Sequence, residues 1–151
     1  MILLSDYLNS SLIKTSLCAT DKISAIDELI SLIITNNPAY DRASLLNSVI
    51  DRELSHHTYI GHHIAIPHTK TALVEKIIIA IGIAKNPINK WSEENQHIKL
   101  VVLVLSPITE ITKHIQTLAT LAKKISDEKI FNAIIESNDV ADIFKLVSST
   151  D

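Results

Sequence analysis

Cysteine is almost missing from this chain: there is one in 151 residues, and a lone Cys18 has no partner for an internal disulfide. Glycine is nearly as scarce. Its two glycines, Gly61 and Gly82, cannot build the glycine-rich loop that cradles a nucleotide phosphate. The longest apolar runs, "IIIAIGIA" and "LVVLVL", fall far short of the roughly 18 residues that a membrane span needs. The N-terminal "MILLSDYLNSS" has neither the basic start nor the small-residue cleavage site of a secretory signal. Basic runs are absent too, and the net charge is −3, so nucleic acid and anionic lipid are not expected partners. Together these absences predict a cytoplasmic protein that does not enter a membrane.

What is present is the composition of a soluble globular protein, 46% hydrophobic and 21% charged. The length suits one domain, residues 1–151, without linker or repeat. Ile23, Ile26, Leu29, Ile30, Ile33 and Ile34 recur at helical spacing between Asp21 and Asn36, where Asn36-Asn37-Pro38 ends the pattern. A second helix is predicted from an N-cap at Asp41 to about Leu54, with Arg52 in its last turn. The period then changes to short branched runs, Ile60–Ile66, Ile77–Ala84 and Ile98–Leu105. The last two are apolar almost throughout, as central strands covered on both faces would be.

Helical spacing returns after Pro107. One stripe holds Ile111, Ile115, Leu118, Leu121 and Ile125, and shorter helices follow, with Ser126 and Asn138 or Asp139 as expected N-caps. The polar segment "KNPINKWSEENQH" reads as a surface loop, with Trp91 expected to be partly exposed. Helices, then strands, then helices predict an α/β sandwich: one mixed β-sheet covered by helices on both faces.

Five of the seven histidines, His56, His57, His62, His63 and His68, lie within thirteen positions. Adjacent residues of an extended chain face opposite ways, so each adjacent pair offers at most one ligand to a common site; the one attractive face holds His62 and His68, and no Cys or carboxylate stands at a zinc spacing. A metal-dependent hydrolase is therefore the weakest of three readings. A nucleophilic histidine fits better. Neutral imidazole accepts a phosphoryl group on one nitrogen when the proton on the other is held by an acceptor. Pro67 restrains both its own φ and Ile66, which would present His68 rigidly at the end of a buried strand. A transferring phosphoryl also needs cationic and hydrogen-bonding groups around it; Arg52 and His114 are the candidates. His114 is expected on the helix starting near Thr109, at the edge of the apolar stripe, able to turn into a cleft. Alone, Arg52 would merely complement its helix dipole and His114 would be a stripe-edge filler.

The segment "DRELSHHTYIGHHIAIPH" resembles the signature of the fructose/mannitol-type enzyme IIA domains of the bacterial phosphotransferase system. There, an Arg-Glu pair precedes Thr-Gly-(Ile/Val)-Gly-x-Gly-Ile-Ala-(Ile/Leu)-Pro-His. The likeness extends over essentially the whole chain, including the N-terminal helices and "HIQTLATLAKKISDE". It implies a mannitol-type enzyme IIA fold and a phosphoryl carrier in which His68 is the phosphorylated histidine, Arg52 the cleft arginine and His114 the second active-site histidine. Arg52 stands 16 residues before His68 and His114 stands 46 after it. The implied donor is a histidine phosphocarrier protein (HPr or a nitrogen-type homologue), and the implied recipient an enzyme IIB or a regulated target protein. No nucleotide, metal or organic cofactor is implied.

This chain departs from the signature at Tyr59 and His63, where glycines are usual, and His63 is expected to narrow the room beside the phosphoryl group. The usual Asp-Gly turn before the second central strand is replaced by "EENQH". With no attached domain in the sequence, the nitrogen-type regulatory subclass is favoured. The alternatives are a sugar-specific enzyme IIA and a binding module that has lost transfer.

Overall fold

A computed structural model describes residues 2–55, 58–89, 91 and 97–150. His56, His57 and residues 93–96 of the "EENQH" replacement lie outside the described residues. Among the described residues, six strands and five α-helices follow one another in the order β1 (Leu8–Leu17), α1 (Lys22–Asn36), α2 (Arg42–Ser55), β2 (Tyr59–Gly61), β3 (Ile64–Ala65), β4 (His68–Thr71), β5 (Ile78–Ile88), β6 (Ile98–Pro107), α3 (Ile111–Ser126), α4 (Glu128–Glu136) and α5 (Val140–Ser148).

The sheet runs β1-β5-β6-β3-β2, and β4 also pairs with β6. It is mixed: β1 lies parallel to β5, β3 and β4 lie parallel to β6, and the β5–β6 and β2–β3 pairs are antiparallel. Side chains of a strand alternate between faces, and β6 shows the result directly. Val101, Leu103 and Leu105 join Ile26, Leu29, Ile30 and Val49 of α1 and α2 in one core. Leu100, Val102 and Val104 join Leu121, Ile134 and Ile143 of α3, α4 and α5 in the other. Each fully buried aliphatic side chain contributes about 1.5–3 kcal/mol, so the two central strands hold both layers to the sheet.

The expected helices and central strands are present, with α1 capped by Asp21 through a reciprocal capping box with Ser24. Five details differ. A strand, β1, runs through Leu8–Leu17, for which no element was expected. The expected strand 60–66 is a hairpin, because Gly61, His62 and His63 all take positive φ (+89°, +51° and +67°) and turn β2 back onto β3. His68 opens β4 instead of closing a strand. Asp127, not Ser126, caps α4 by accepting from Ile130 N–H, since Ser126 is still the last residue of α3. Trp91 is buried at 2% exposure rather than lying on the surface. Among the described residues no helix is long and apolar enough to cross a membrane.

Candidate functional site

Three segments distant in sequence meet at His68. Pro67 carries the β4 ladder, its carbonyl accepting from Val104 N–H at 3.0 Å, so His68 enters the sheet opposite Val104. The imidazole Nδ1 lies 2.7 Å from the Ile66 carbonyl. A carbonyl only accepts, so Nδ1 carries the proton and Nε2 holds the lone pair. Arg52, from the last turn of α2, places Nη2 3.3 Å from that Nε2. Its other terminal nitrogen, Nη1, is buried and has no hydrogen-bond partner among the described residues. A buried, unsatisfied guanidinium donor is costly unless an anion meets it.

His114 completes the group. Its ring centroid is 5.6 Å from that of His68, tilted at 50°, and its Nδ1 lies 2.6 Å from Ser106 Oγ at the end of β6. Rather than edging an apolar stripe, His114 lies on the buried line of α3 with Thr117, Leu121 and Ile125, while Ile111 and Ile115 are exposed. Burial pushes His114 down to about 4, helped by the positive fields of His68, Lys70 and Arg52. Burial likewise holds His68 below the ordinary histidine range; the Ile66 carbonyl opposes this, Arg52 reinforces it, Glu53 opposes it and Lys70 reinforces it. Both rings are therefore neutral near pH 7, the form in which Nε2 of His68 is a nucleophile.

Sequence reasoning singled out His68, Arg52 and His114, and the structure brings all three together. Ser106 and Glu53 were missed as site residues. Ser106 was visible as the polar residue ending an apolar central run. Glu53 falls four residues after Val49 and eight after Leu45, on the buried stripe of α2, where a carboxylate is out of place. Its carboxylate accepts from Thr58 N–H at 3.1 Å, from Thr58 Oγ at 2.6 Å and from Trp91 Nε1 at 3.3 Å, and lies 3.5 Å from Lys22 Nζ.

His62 sits exposed in the hairpin turn, and no group of three or more His, Cys, Asp or Glu among the described residues could hold a metal ion. His63 at the second missing glycine position is also exposed: its ring stacks on Phe131 at 6.4 Å and its Nδ1 lies 2.8 Å from the His97 carbonyl.

Comparison with known proteins gives the following. Residues 6–150 match the family model described as "Phosphoenolpyruvate-dependent sugar phosphotransferase system, EIIA 2". A PTS system fructose-specific EIIABC component of Bacillus subtilis is 26% identical over 148 residues, which are 98% of this chain and 23% of that protein. A nitrogen regulatory protein of Escherichia coli K12 is 26% identical over 151 residues, 98% of this chain and 91% of that protein. Among solved structures, nitrogen regulatory protein IIA-Ntr from Neisseria meningitidis superposes with a TM-score of 0.87 at 20% identity, covering 95% of this chain and 98% of that one. The Escherichia coli complex of enzyme IIAMTL with phosphorylated enzyme IIBMTL gives 0.75 at 22% identity, covering 92% and 95%. At these identities the structures speak to fold alone.

Proposed function

The chain belongs to the EIIA 2 family of the phosphoenolpyruvate-dependent sugar phosphotransferase system, and from that premise we propose that it is a phosphoryl carrier, with Nε2 of His68 as the acceptor atom. The observation that carries this reading is the pairing of the lone-pair nitrogen with a half-used guanidinium, Nη2 toward His68 and Nη1 buried without a partner among the described residues.

The step is an in-line displacement. The Nε2 lone pair forms the new P–N bond as the donor's P–N bond breaks, and the donor nitrogen keeps that electron pair. The proton on Nδ1 stays in place, so the positive charge that the ring of His68 acquires is shared with the Ile66 carbonyl. Arg52 meets the equatorial phosphoryl oxygens with its planar fork, and His114, kept neutral by burial and oriented with Nδ1 accepting from Ser106 Oγ–H, supplies its Nε2–H in the same cleft. No step calls for a nucleotide, metal or organic cofactor. Lys70 and Arg52 keep the local field positive where negative charge passes.

Donor and recipient are proteins in this account: a histidine phosphocarrier protein, and an enzyme IIB or a regulated target. Exposed Leu54, Ile60, Ile111 and Ile115 neighbour the site residues in sequence and offer apolar surface for such encounters. Residues 1–151 are read as one cytoplasmic enzyme IIA-type domain. Within the family we favour the nitrogen-type regulator, in keeping with the likeness to the Escherichia coli nitrogen regulatory protein, 26% identical over 151 residues. Phosphorylation would add charge approaching −2 at the cleft and so recruit or release a target. A sugar-specific carrier is the second reading, supported by the match to the fructose-specific Bacillus protein, of which the chain spans about a quarter.

Labelled phosphate from phosphoenolpyruvate, passed through enzyme I and a histidine phosphocarrier protein, tests the carrier claim. Acid-labile, base-stable label is expected on wild type and not on His68→Ala. Wild type that stays unlabelled would point instead to a binding module without transfer. Equal binding of candidate targets by wild type and His68→Glu would count against the regulator, and His68-dependent fructose or mannitol uptake would favour the sugar carrier.

A further inference from the structure

Glu53 touches neither ring of the site, yet a continuous series of hydrogen bonds leads from its carboxylate to the nucleophile. The carboxylate accepts from Thr58 N–H and Oγ–H. The Thr58 carbonyl accepts from Ile66 N–H at 3.0 Å. The Ile66 carbonyl in turn faces Nδ1 of His68 at 2.7 Å. Glu53 itself is 1% exposed and Thr58 5% exposed, so water competes poorly for these bonds.

The adjacent residue in the same helical turn is Arg52, which approaches the opposite nitrogen of the same ring. One turn of α2 thus governs both sides of the imidazole, Nε2 directly through Arg52 and Nδ1 indirectly through Glu53. The segment so anchored needs an anchor. It runs from Thr58 through a hairpin containing three successive positive-φ residues, two of them histidines, before it reaches His68. Each histidine there costs about as much as other L-residues in the left-handed region, and such a turn keeps its shape only when its ends are fixed.

We infer that Glu53 is a positioning residue, whose carboxylate fixes Thr58 and, through the Thr58–Ile66–His68 series, holds the acceptor imidazole in its Nδ1–H form and in register with Arg52. This rests on the phosphoryl-carrier reading for its catalytic consequence, but its structural content stands apart from it. A plain buried anchor would lower stability when removed and leave the tautomer alone. A positioning residue changes the tautomer and the turnover of the folded protein.

The experiment compares wild type, Glu53→Gln, Thr58→Val, Thr58→Ser and Trp91→Phe by two readouts: long-range 1H–15N correlation spectra of the His68 ring, and kinetics of phosphate acceptance from the phosphorylated phosphocarrier protein. A glutamine has one acceptor oxygen where the carboxylate has two, so Glu53→Gln cannot serve all of the surrounding donors. It should yield a mixed His68 tautomer and a kcat lower by roughly 10- to 100-fold, with KM for the phosphocarrier nearly unchanged. Thr58→Val should shift both readouts the same way, and Thr58→Ser should restore them. Trp91→Phe removes another donor to the same carboxylate but leaves the series to His68 intact, so it should keep the wild-type tautomer and kcat. If Glu53→Gln does not fold, the Thr58 pair decides. Wild-type tautomer and kcat in folded Glu53→Gln or Thr58→Val would overturn the inference, as would equal losses in Glu53→Gln and Trp91→Phe. Should wild type accept no phosphate, the carrier reading fails, and the tautomer spectra alone decide whether Glu53 positions His68.

Discussion

His114 is 5% exposed, and its pKa of about 4 lies below the roughly 6.5 that a histidine has in an unfolded chain. Between these values the unfolded state binds a proton that the folded state refuses, so stability is complete above pH 6.5 and is lost as pH falls toward 4. His68, shifted in the same direction, adds to the effect. Replacing His114 by Gln keeps a side chain able to hydrogen-bond Ser106 and removes one of the two titrations. Urea midpoints measured from pH 7.5 to 4.5 should therefore fall less steeply for His114→Gln than for wild type. Phosphate acceptance should also fade on acidification below the ordinary histidine range, since protonation occupies the lone pair of Nε2. Arg52→Lys keeps the charge but loses the fork, and acceptance rates should drop on the order of 100-fold.

Gly82 lies inside β5, where a glycine normally weakens a strand. Here the neighbour explains it: a Cβ would stand 2.6 Å from Leu17 Cδ1 and 2.7 Å from its Cγ. Gly82→Ala should cost about 1–3 kcal/mol, read as a lowered denaturant midpoint, because Leu17 must leave its packed position. On α3, the hydroxyl of Thr117 is fully buried without a partner among the described residues, so Thr117→Val should stabilise by about 1 kcal/mol. These elements also show where the sequence was readable. The central strands and α1 announce themselves through uninterrupted apolar runs and a clean 3.6 period. β1 does not, since its "LNSSLIKTSL" buries only Leu8, Leu12, Ile13 and Leu17 and, among the described residues, pairs with β5 alone. α3 misleads because its polar residues His114 and Thr117 occupy the buried line while Ile111 and Ile115 face outward. Trp91 is polar-flanked in sequence, and its burial is set by residues far along the chain: it joins the apolar core built with α1 and α2, and its Nε1 donates to Glu53, 38 residues away.

Across the whole molecule, the two helical layers press on a sheet whose parallel β4–β6 pair ends at the site, so that α2 delivers Arg52 from one side and α3 delivers His114 from the other. The pattern Arg52-Glu53, then Ile-Ala-Ile-Pro-His, then His114 was enough to pick out three residues that the structure brings together, whereas the Glu53–Thr58–Ile66 series runs through backbone groups beyond its first, side-chain link and leaves no spacing to read. In the proposed transfer, Nε2 of His68 takes the phosphoryl group while Nδ1 keeps its proton. Phosphorylating 15N-histidine-labelled protein and recording 31P–15N couplings tests it most directly. Coupling of phosphorus to Nε2 of His68, with Nδ1 still protonated, is the predicted result; phosphorus on Nδ1, or on a different histidine, would contradict it.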